Sequence, residues 1–222
     1  MSQTQEHIVV KRRSKGELTR LKILNSAIEV LAENGIKGTT HRAIANQAQL
    51  QLSLTTYYFK DIQQLVHEAF LLSSNRTIEI ATNAWQTVFE LLDSYTKTRL
   101  KNMSVRRELA TTLSTIACNY LVNKIKENPI DLAVEQFMFT EVQVSPELQQ
   151  LAATHRTALM APFEKLCTYF SPETSTIDAD IMLTVFTQLE YRNLVDPSAV
   201  NTAYIYSVVE RLIMAVLRVK RK

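Results

Sequence analysis

Glycine and proline are scarce in this 222-residue chain, at three and five residues. Loops must therefore be few and short, and long apolar-periodic segments with so few breakers between them point to an all-α protein. Three glycines also argue against a glycine-rich phosphate loop. Cysteine is nearly absent. Cys118 and Cys167 lie far apart without metal-ligand spacing and are read as small buried apolar residues. No run of about 18 apolar residues occurs, so no membrane span is expected. The opening residues, MSQTQEH, lack an apolar signal core, and the expected location is the cytoplasm. No nucleophile–base pair or metal-ligand cluster stands out, and His155 has no second ligand at metal spacing. Neither an enzyme nor a cofactor is expected.

What is present is an ordinary globular composition, 46% hydrophobic and 21% charged, with an uneven distribution of charge. Residues 1–60 hold nine Lys/Arg against four Glu, whereas the remainder holds sixteen Lys/Arg against eighteen Asp/Glu. A basic head on a near-neutral body suits a polyanion partner. Residues 1–18 carry no helical period and, with Lys11, Arg12, Arg13 and Lys15, read as a flexible basic arm.

Beyond the arm, Leu21, Leu24, Ile28 and Leu31 recur at helical spacing, and Asn34-Gly35 reads as a left-handed C-cap. Thr40 is a candidate N-cap for a short second helix, HRAIANQA, whose Ile44, Ala45 and Ala48 share a side. QLQL is a tight turn and SLTTYYF a third short helix. Asp61 to Gln64 matches a capping box for a long fourth helix, expected to run to about Phe89. A short helix is expected within Ser94 to Met103, and further helices near 106–127, 130–143, 146–170, 178–194 and 198–219, about nine in all. Pro129, Pro146, Pro172 and Pro197 fall at or near the gaps, while Pro162 lies inside a periodic stretch and is expected to kink or divide it.

Three short helices within 60 residues, the last two joined by a tight turn, outline a helix-turn-helix. A helix entering the major groove needs a slim outward face, with hydroxyls that reach phosphates or base edges. Ser53, Leu54 and Tyr57 fall on one such face. Thr55 and Phe59, four apart, can point to the core. Tyr57 and Tyr58 are open to two readings, backbone anchors or partly buried aromatics.

The stretch ILNSAIEVLAENGIKGTTHRAIANQA, then TTYYFKD, then IQQLVHEAF resembles the DNA-binding domain of TetR/AcrR-type transcriptional regulators. The resemblance covers about fifty residues, from Thr19 to Phe70. It implies an N-terminal three-helix head, residues 19–65, and a larger C-terminal effector-binding and dimerisation body, residues 66–222. By position, Thr40, His41 and Arg42 would meet the DNA backbone, with Arg42 also open to an exposed salt-bridging role and His41 to a capping or surface role. Gln51, Leu52, Ser53, Leu54, Thr55 and Thr56 would enter or line the groove, with Thr55 also open to a core role. Tyr57, Tyr58 and Lys60 would hold phosphates, and Lys11, Arg12, Arg13 and Lys15 would follow the adjacent minor groove. The sequence departs from the family pattern in four places. Gln49 stands where a glycine normally eases the turn, Gln51 where a serine caps, Ser53 where a glycine is common, and Ile62 where a lysine is common.

The resemblance implies a homodimeric repressor of a near-palindromic operator on double-stranded DNA, released by an unknown small-molecule effector. The alternative is a TetR-like DNA binder whose body takes a protein partner. Candidate effector-pocket residues mix apolar bulk with polar tips: Trp85, Cys118, Tyr120, Phe137, Met138, His155, Met160 and Phe163. Each is also an ordinary core residue by type. The last two helices carry regular apolar stripes, Met182, Val185, Phe186 and Leu189 in one and Ile205, Val208, Val209, Leu212, Ile213 and Val216 in the other. The resemblance makes these the candidate dimer interface. The basic segment Lys97 to Arg107 is open to two readings, a solvated face or a surface leaning on the head.

Overall fold

The computed structural model describes residues 14–140 and 145–219, and within them the chain is built from ten α-helices with no strand. They are α1 (Lys15–Gly38), α2 (His41–Ala48), α3 (Leu52–Tyr58), α4 (Ile62–Asp93), α5 (Lys97–Leu100), α6 (Met103–Glu127), α7 (Pro129–Thr140), α8 (Pro146–Thr168), α9 (Ser175–Arg192) and α10 (Thr202–Val216). The all-α expectation holds. The basic arm residues Lys11, Arg12 and Arg13 lie outside the described residues.

Caps explain most of the differences from the sequence reading. Helix α1 starts at Lys15, inside the segment read as an arm. Ser14 and Glu17 form a reciprocal capping box there, the Ser14 Oγ accepting from the Glu17 amide and the Glu17 carboxylate from the Ser14 amide. The expected box at Asp61 is only half made. Asp61 Oδ1 accepts from the Gln63 amide at 2.9 Å, but the Gln64 side chain turns to Glu68 instead. Gly35 has φ 63° as a C-cap glycine should, but its ψ of −177° is extended rather than left-handed helical. That region belongs almost entirely to glycine. Helix α4 runs four residues past Phe89 because Val88 and fully buried Leu92 continue its stripe. At 32 residues it is a shaft of about 48 Å. Pro162 lies within α8 without dividing it.

Two cores form. In the first, Ile23, Leu24, Ile28 and Leu31 of α1 pack with Ile44, Phe59, Leu65 and Phe70. Val134 and Met138 of α7 and Leu148, Leu151 and Ala152 of α8 belong to the same cluster. The second core joins the far half of α4 to α6, α8, α9 and α10. Helices α4, α7 and α8 thus contribute to both cores, and nothing in the backbone breaks at residue 65. In the basic segment after α4, Arg106 donates from Nε to the Leu100 carbonyl (2.6 Å) and from Nη1 to the Leu217 carbonyl (3.0 Å). That arginine therefore ties the start of α6 to the end of α10.

Candidate nucleic-acid interface and internal cavity

Thr40 caps α2, its Oγ1 accepting from the Ala43 amide at 3.1 Å. The chain leaves α2 through Gln49 at φ 52° and ψ 45°, the left-handed conformation that glycine would adopt without strain. Leu50 then donates back to the Ala45 carbonyl at 2.9 Å, so the turn is closed by hydrogen bonds despite the side chain at 49. Gln51 offers no side-chain cap to α3.

Helix α3 has a clear inside. Thr55 and Phe59 are both fully buried, and the Thr55 hydroxyl donates to the Leu52 carbonyl at 2.8 Å. Thr55 is therefore a packing residue, too enclosed to line a groove. The outside is formed by Gln51, Leu52, Ser53, Thr56 and Tyr57, all exposed, with Leu54 half-buried at its edge. Tyr57 is 75% exposed and sits edge-to-face with Tyr58, at 5.2 Å between ring centroids. Tyr58 is half-buried, and its hydroxyl lies beside Gly16 at the start of α1, where a Cβ would sit 3.4 Å away. Lys15, Thr40, Arg42 and Lys60 are exposed. His41 is half-buried, both ring nitrogens enclosed without a hydrogen bond among the described residues. Arg20 lies over the Phe59 ring at 4.8 Å and pairs with Glu68, which pins α1 to α4.

The body holds a cavity between α4, α6, α8, α9 and α10, with about 700 Å³ of empty space that includes its opening to solvent. Of the candidate pocket residues, Trp85, Tyr120 and Phe163 line it. The other candidates serve elsewhere. Phe137 and Met138 join the core shared with α1. The Cys118 Sγ lies 3.7 Å from the Thr202 carbonyl oxygen, and Met160 packs on the body core without reaching the cavity. His155 is buried in a separate polar cluster. Trp85 stacks on Phe89 (5.5 Å) and meets Phe163 edge-on (4.8 Å), and Phe163 meets Phe186 the same way (5.1 Å). Trp85, Ala81 and Leu159 also line an outer groove that reaches Ala158 and Pro162. Having no N–H, Pro162 leaves the Ala158 carbonyl without its helical partner beside that groove.

A buried charge cluster reaches the cavity through Lys124 and Glu190. Lys124 of α6 lies 2.9 Å from Glu190 Oε2 of α9 and 3.4 Å from Glu135 Oε2 of α7, with all three side chains almost wholly buried. Glu135 Oε1 is 3.2 Å from His155 Nε2, and His155 Nδ1 is 2.7 Å from the Ser74 hydroxyl of α4. Burial alone would lower the Lys124 pKa, but the Glu135 and Glu190 carboxylates hold it well above its usual value. Burial pushes Glu190 up to about 7, against the opposing pull of Lys124. Glu135 is buried too, yet Lys124 and His155 bring it below the usual carboxylate range. Sequence reasoning missed Lys124, Glu135 and Glu190 because they are far apart in the chain and look like ordinary surface charges. A signal existed: each interrupts a buried stripe, beside Leu121 and Ile125, Val134 and Met138, and Phe186 and Leu189 respectively.

The candidate dimer stripes also divide. Met182, Phe186, Leu189, Ile205, Val209, Ile213 and Val216 are buried within the protomer, 6% exposed or less, so they cannot meet a partner; Met182, Phe186 and Ile213 line the cavity. Their period was read correctly, but it marks the inner face, because α9 packs on α8 and α10 on α6. Val185, Val208 and Leu212 are half-exposed. Ile177 (65% exposed), Ile181 (49%) and Tyr204 (51%) face outward.

Residues 23–69 match the family model of bacterial regulatory proteins of the tetR family. Among solved structures, a member of the TetR family from Streptomyces coelicolor A3 is 19% identical, with 87% of this chain and 97% of that one covered and a TM-score of 0.58. A transcriptional regulator from Rhodococcus sp. Rha1 is 16% identical, with 92% and 97% covered and a TM-score of 0.62. The multidrug binding protein EbrR complexed with ethidium is 20% identical, with 87% and 97% covered and a TM-score of 0.53. No curated protein matches the chain. Among the described residues no helix is long and apolar enough to cross a membrane.

Proposed function

We propose that this chain, a TetR-type transcriptional regulator, is a homodimeric repressor of a near-palindromic operator, released when a small molecule enters the body cavity. The observation that carries the reading is the divided α3. Thr55 and Phe59 bind it to the head core, while Ser53, Thr56 and Tyr57 stand exposed on its outer side. In this reading Ser53 and Leu54 meet base edges. Tyr57, Arg42, Thr40 and Lys60 meet phosphates, and the basic residues before Ser14 lie along the minor groove. In this reading the arm is the segment before Ser14, since α1 begins at Lys15, and the head and the body share α4, which is continuous across residues 65 and 66.

The dimer surface is the outer stripe of the last two helices. Ile177, Ile181, Thr184, Val185 and Gln188 of α9 have the same spacing as Tyr204, Val208, Arg211, Leu212 and Ala215 of α10. Two such stripes on each protomer suit a two-fold four-helix bundle.

Release follows from linkage: an effector weakens DNA binding by the ratio of its affinities for two body arrangements, typically about 1–3 kcal/mol. The path we favour is the line from Glu190 and Lys124 at the cavity, through Glu135 and His155, to Ser74 on α4, the helix that carries the head. EbrR, which shares the fold and is a multidrug binding protein complexed with ethidium, supports a ligand role for the cavity.

The test is selection of bound sequences from random DNA by the purified chain. A two-fold site with half-sites one or more helical turns apart is expected. Enrichment of an asymmetric site would remove the dimer reading, and no enrichment would remove the DNA reading.

A further inference from the structure

The geometry points to an organic cation as the ligand of the body cavity, an aromatic compound with one positive charge that the Glu190 carboxylate neutralises. This inference rests on reading the cavity as the effector site and adds the chemical class of what enters.

The charges beside the cavity are unequal. Two carboxylates, Glu135 and Glu190, share one ammonium, Lys124, which reaches Glu190 through Oε2 at 2.9 Å and Glu135 through Oε2 at 3.4 Å. Glu135 Oε1 has His155 beside it at 3.2 Å. Glu190 Oε1 has no hydrogen-bond partner among the described residues, although the side chain is only 6% exposed and lines the cavity. That oxygen opens onto the cavity rather than into the packed core, where a positive group placed against it would make a charge-assisted hydrogen bond away from bulk water. The groups facing Glu190 are Lys124 and Tyr120 of α6, Glu135 of α7 and Tyr191 of its own helix. Lys124 is the one cation among them, and it is already committed to both carboxylates.

The walls agree with the charge. Trp85, Phe163 and Phe186 line the cavity, Trp85 edge-to-face with Phe163 and Phe163 edge-to-face with Phe186. Ring faces attract cations and pack against flat aromatic skeletons. An anion would have to take Lys124 from two carboxylates and then lie against both of them. A neutral ligand would leave the Glu190 oxygen as it is.

Trp85 is the only tryptophan of the chain and lines both the cavity and the outer groove, so its fluorescence reports on these two places and the Glu190 variants tell them apart. The full-length protein is titrated with three bicyclic probes at slightly alkaline pH: N-methylquinolinium (cationic), quinoline (neutral) and 2-naphthoate (anionic), with calorimetry alongside quenching. N-methylquinolinium should bind at least about ten-fold more tightly than quinoline, with naphthoate weakest. Glu190→Gln should bring the cation down to the affinity of quinoline and leave quinoline unchanged. Glu190→Asp, which keeps the charge, should retain the order of preference and covers the case in which the glutamine variant does not fold. Equal binding of cation and neutral probe, or tightest binding of naphthoate, would overturn the cation assignment while keeping the cavity as a ligand site. Absence of binding by all three would overturn both.

Discussion

Lys124→Met is the sharpest perturbation of the body. Methionine replaces the lysine stem at similar volume, so packing changes little and charge changes most. The ammonium lies 2.9 Å from one carboxylate and 3.4 Å from another. At an effective dielectric of about 20 each such pair is worth about 5 kcal/mol, before the cost of burying the ions. That cost is several kcal/mol per ion and cancels much of the attraction, but removing one partner leaves the carboxylates buried and unpaired. The expected loss near neutral pH is about 3–5 kcal/mol. The pH dependence supplies a second check. In the native protein, Glu190 is raised to about 7, so its contribution is fully present below the unfolded value and lost as pH rises through 7. Glu135 is lowered, so its contribution is present above the unfolded value and lost as pH falls. The two oppose each other. Without Lys124 both carboxylates favour the protonated form in the fold, and the variant regains stability as pH falls. Urea unfolding followed by far-UV circular dichroism, at one protein concentration, measures both effects. A loss below about 1 kcal/mol near neutrality, typical of an exposed pair, would refute the reasoning. So would a deficit that stays constant down to about pH 5.

Three further outcomes are expected. Gln49→Val should lower head stability by about 1–2 kcal/mol, since a β-branched residue fits the left-handed conformation poorly; Gln49→Gly should be neutral or stabilising, and thermal melts of the two variants compare them. Tyr57→Phe should weaken operator binding by about 1 kcal/mol through one lost phosphate bond; with the ring 75% exposed the melting temperature should not move, and wild-type affinity would return Tyr57 to an ordinary surface role. Ile181→Arg with Leu212→Arg should give a folded monomer by sedimentation velocity that no longer holds a two-fold operator, whereas Met182→Arg, at an inward position, should unfold the chain.

The head was more legible in the sequence than the body, for physical reasons. A helix that must enter a groove while docking on two neighbours fixes residue types at short spacings, so Thr40, Ala45, Tyr58 and Phe59 fall within one readable window. The anomaly at Gln49 was legible too, because a turn that favours glycine was occupied by another residue, and the backbone there is left-handed. The start of α1 was missed because Ser14 and Glu17 cap a first turn that has no apolar stripe. In the body, helical period showed that α9 and α10 are amphipathic but not which neighbour each face meets. Met182 and Phe186 were thus read as interface when they line the cavity. The charge cluster was hidden further still, since its three ions come from three helices and only packing brings them together.

That packing gives α4 and α9 two duties each. One face of α9 presents Met182, Phe186 and Glu190 to the cavity, while the other presents Ile177 and Ile181 to the surface. Helix α4 places Trp85 at the cavity, Ser74 at the polar line and Leu65 and Phe70 in the core of the head. A ligand pressing between Trp85 and Glu190 therefore acts at once on the helix that carries the head and on the helix proposed to hold the partner. Close-packed interiors respond to such pressure by moving helices as units rather than by absorbing it. In the proposed dimer, a shift of α4 against α9 would change the separation of the two heads, which is the quantity that a two-fold operator would read. On this argument the distance between heads, followed by a pair of labels on α3 of each protomer, should change on adding a cavity ligand. It should stay fixed in a variant that has lost His155 or Ser74 but still binds that ligand.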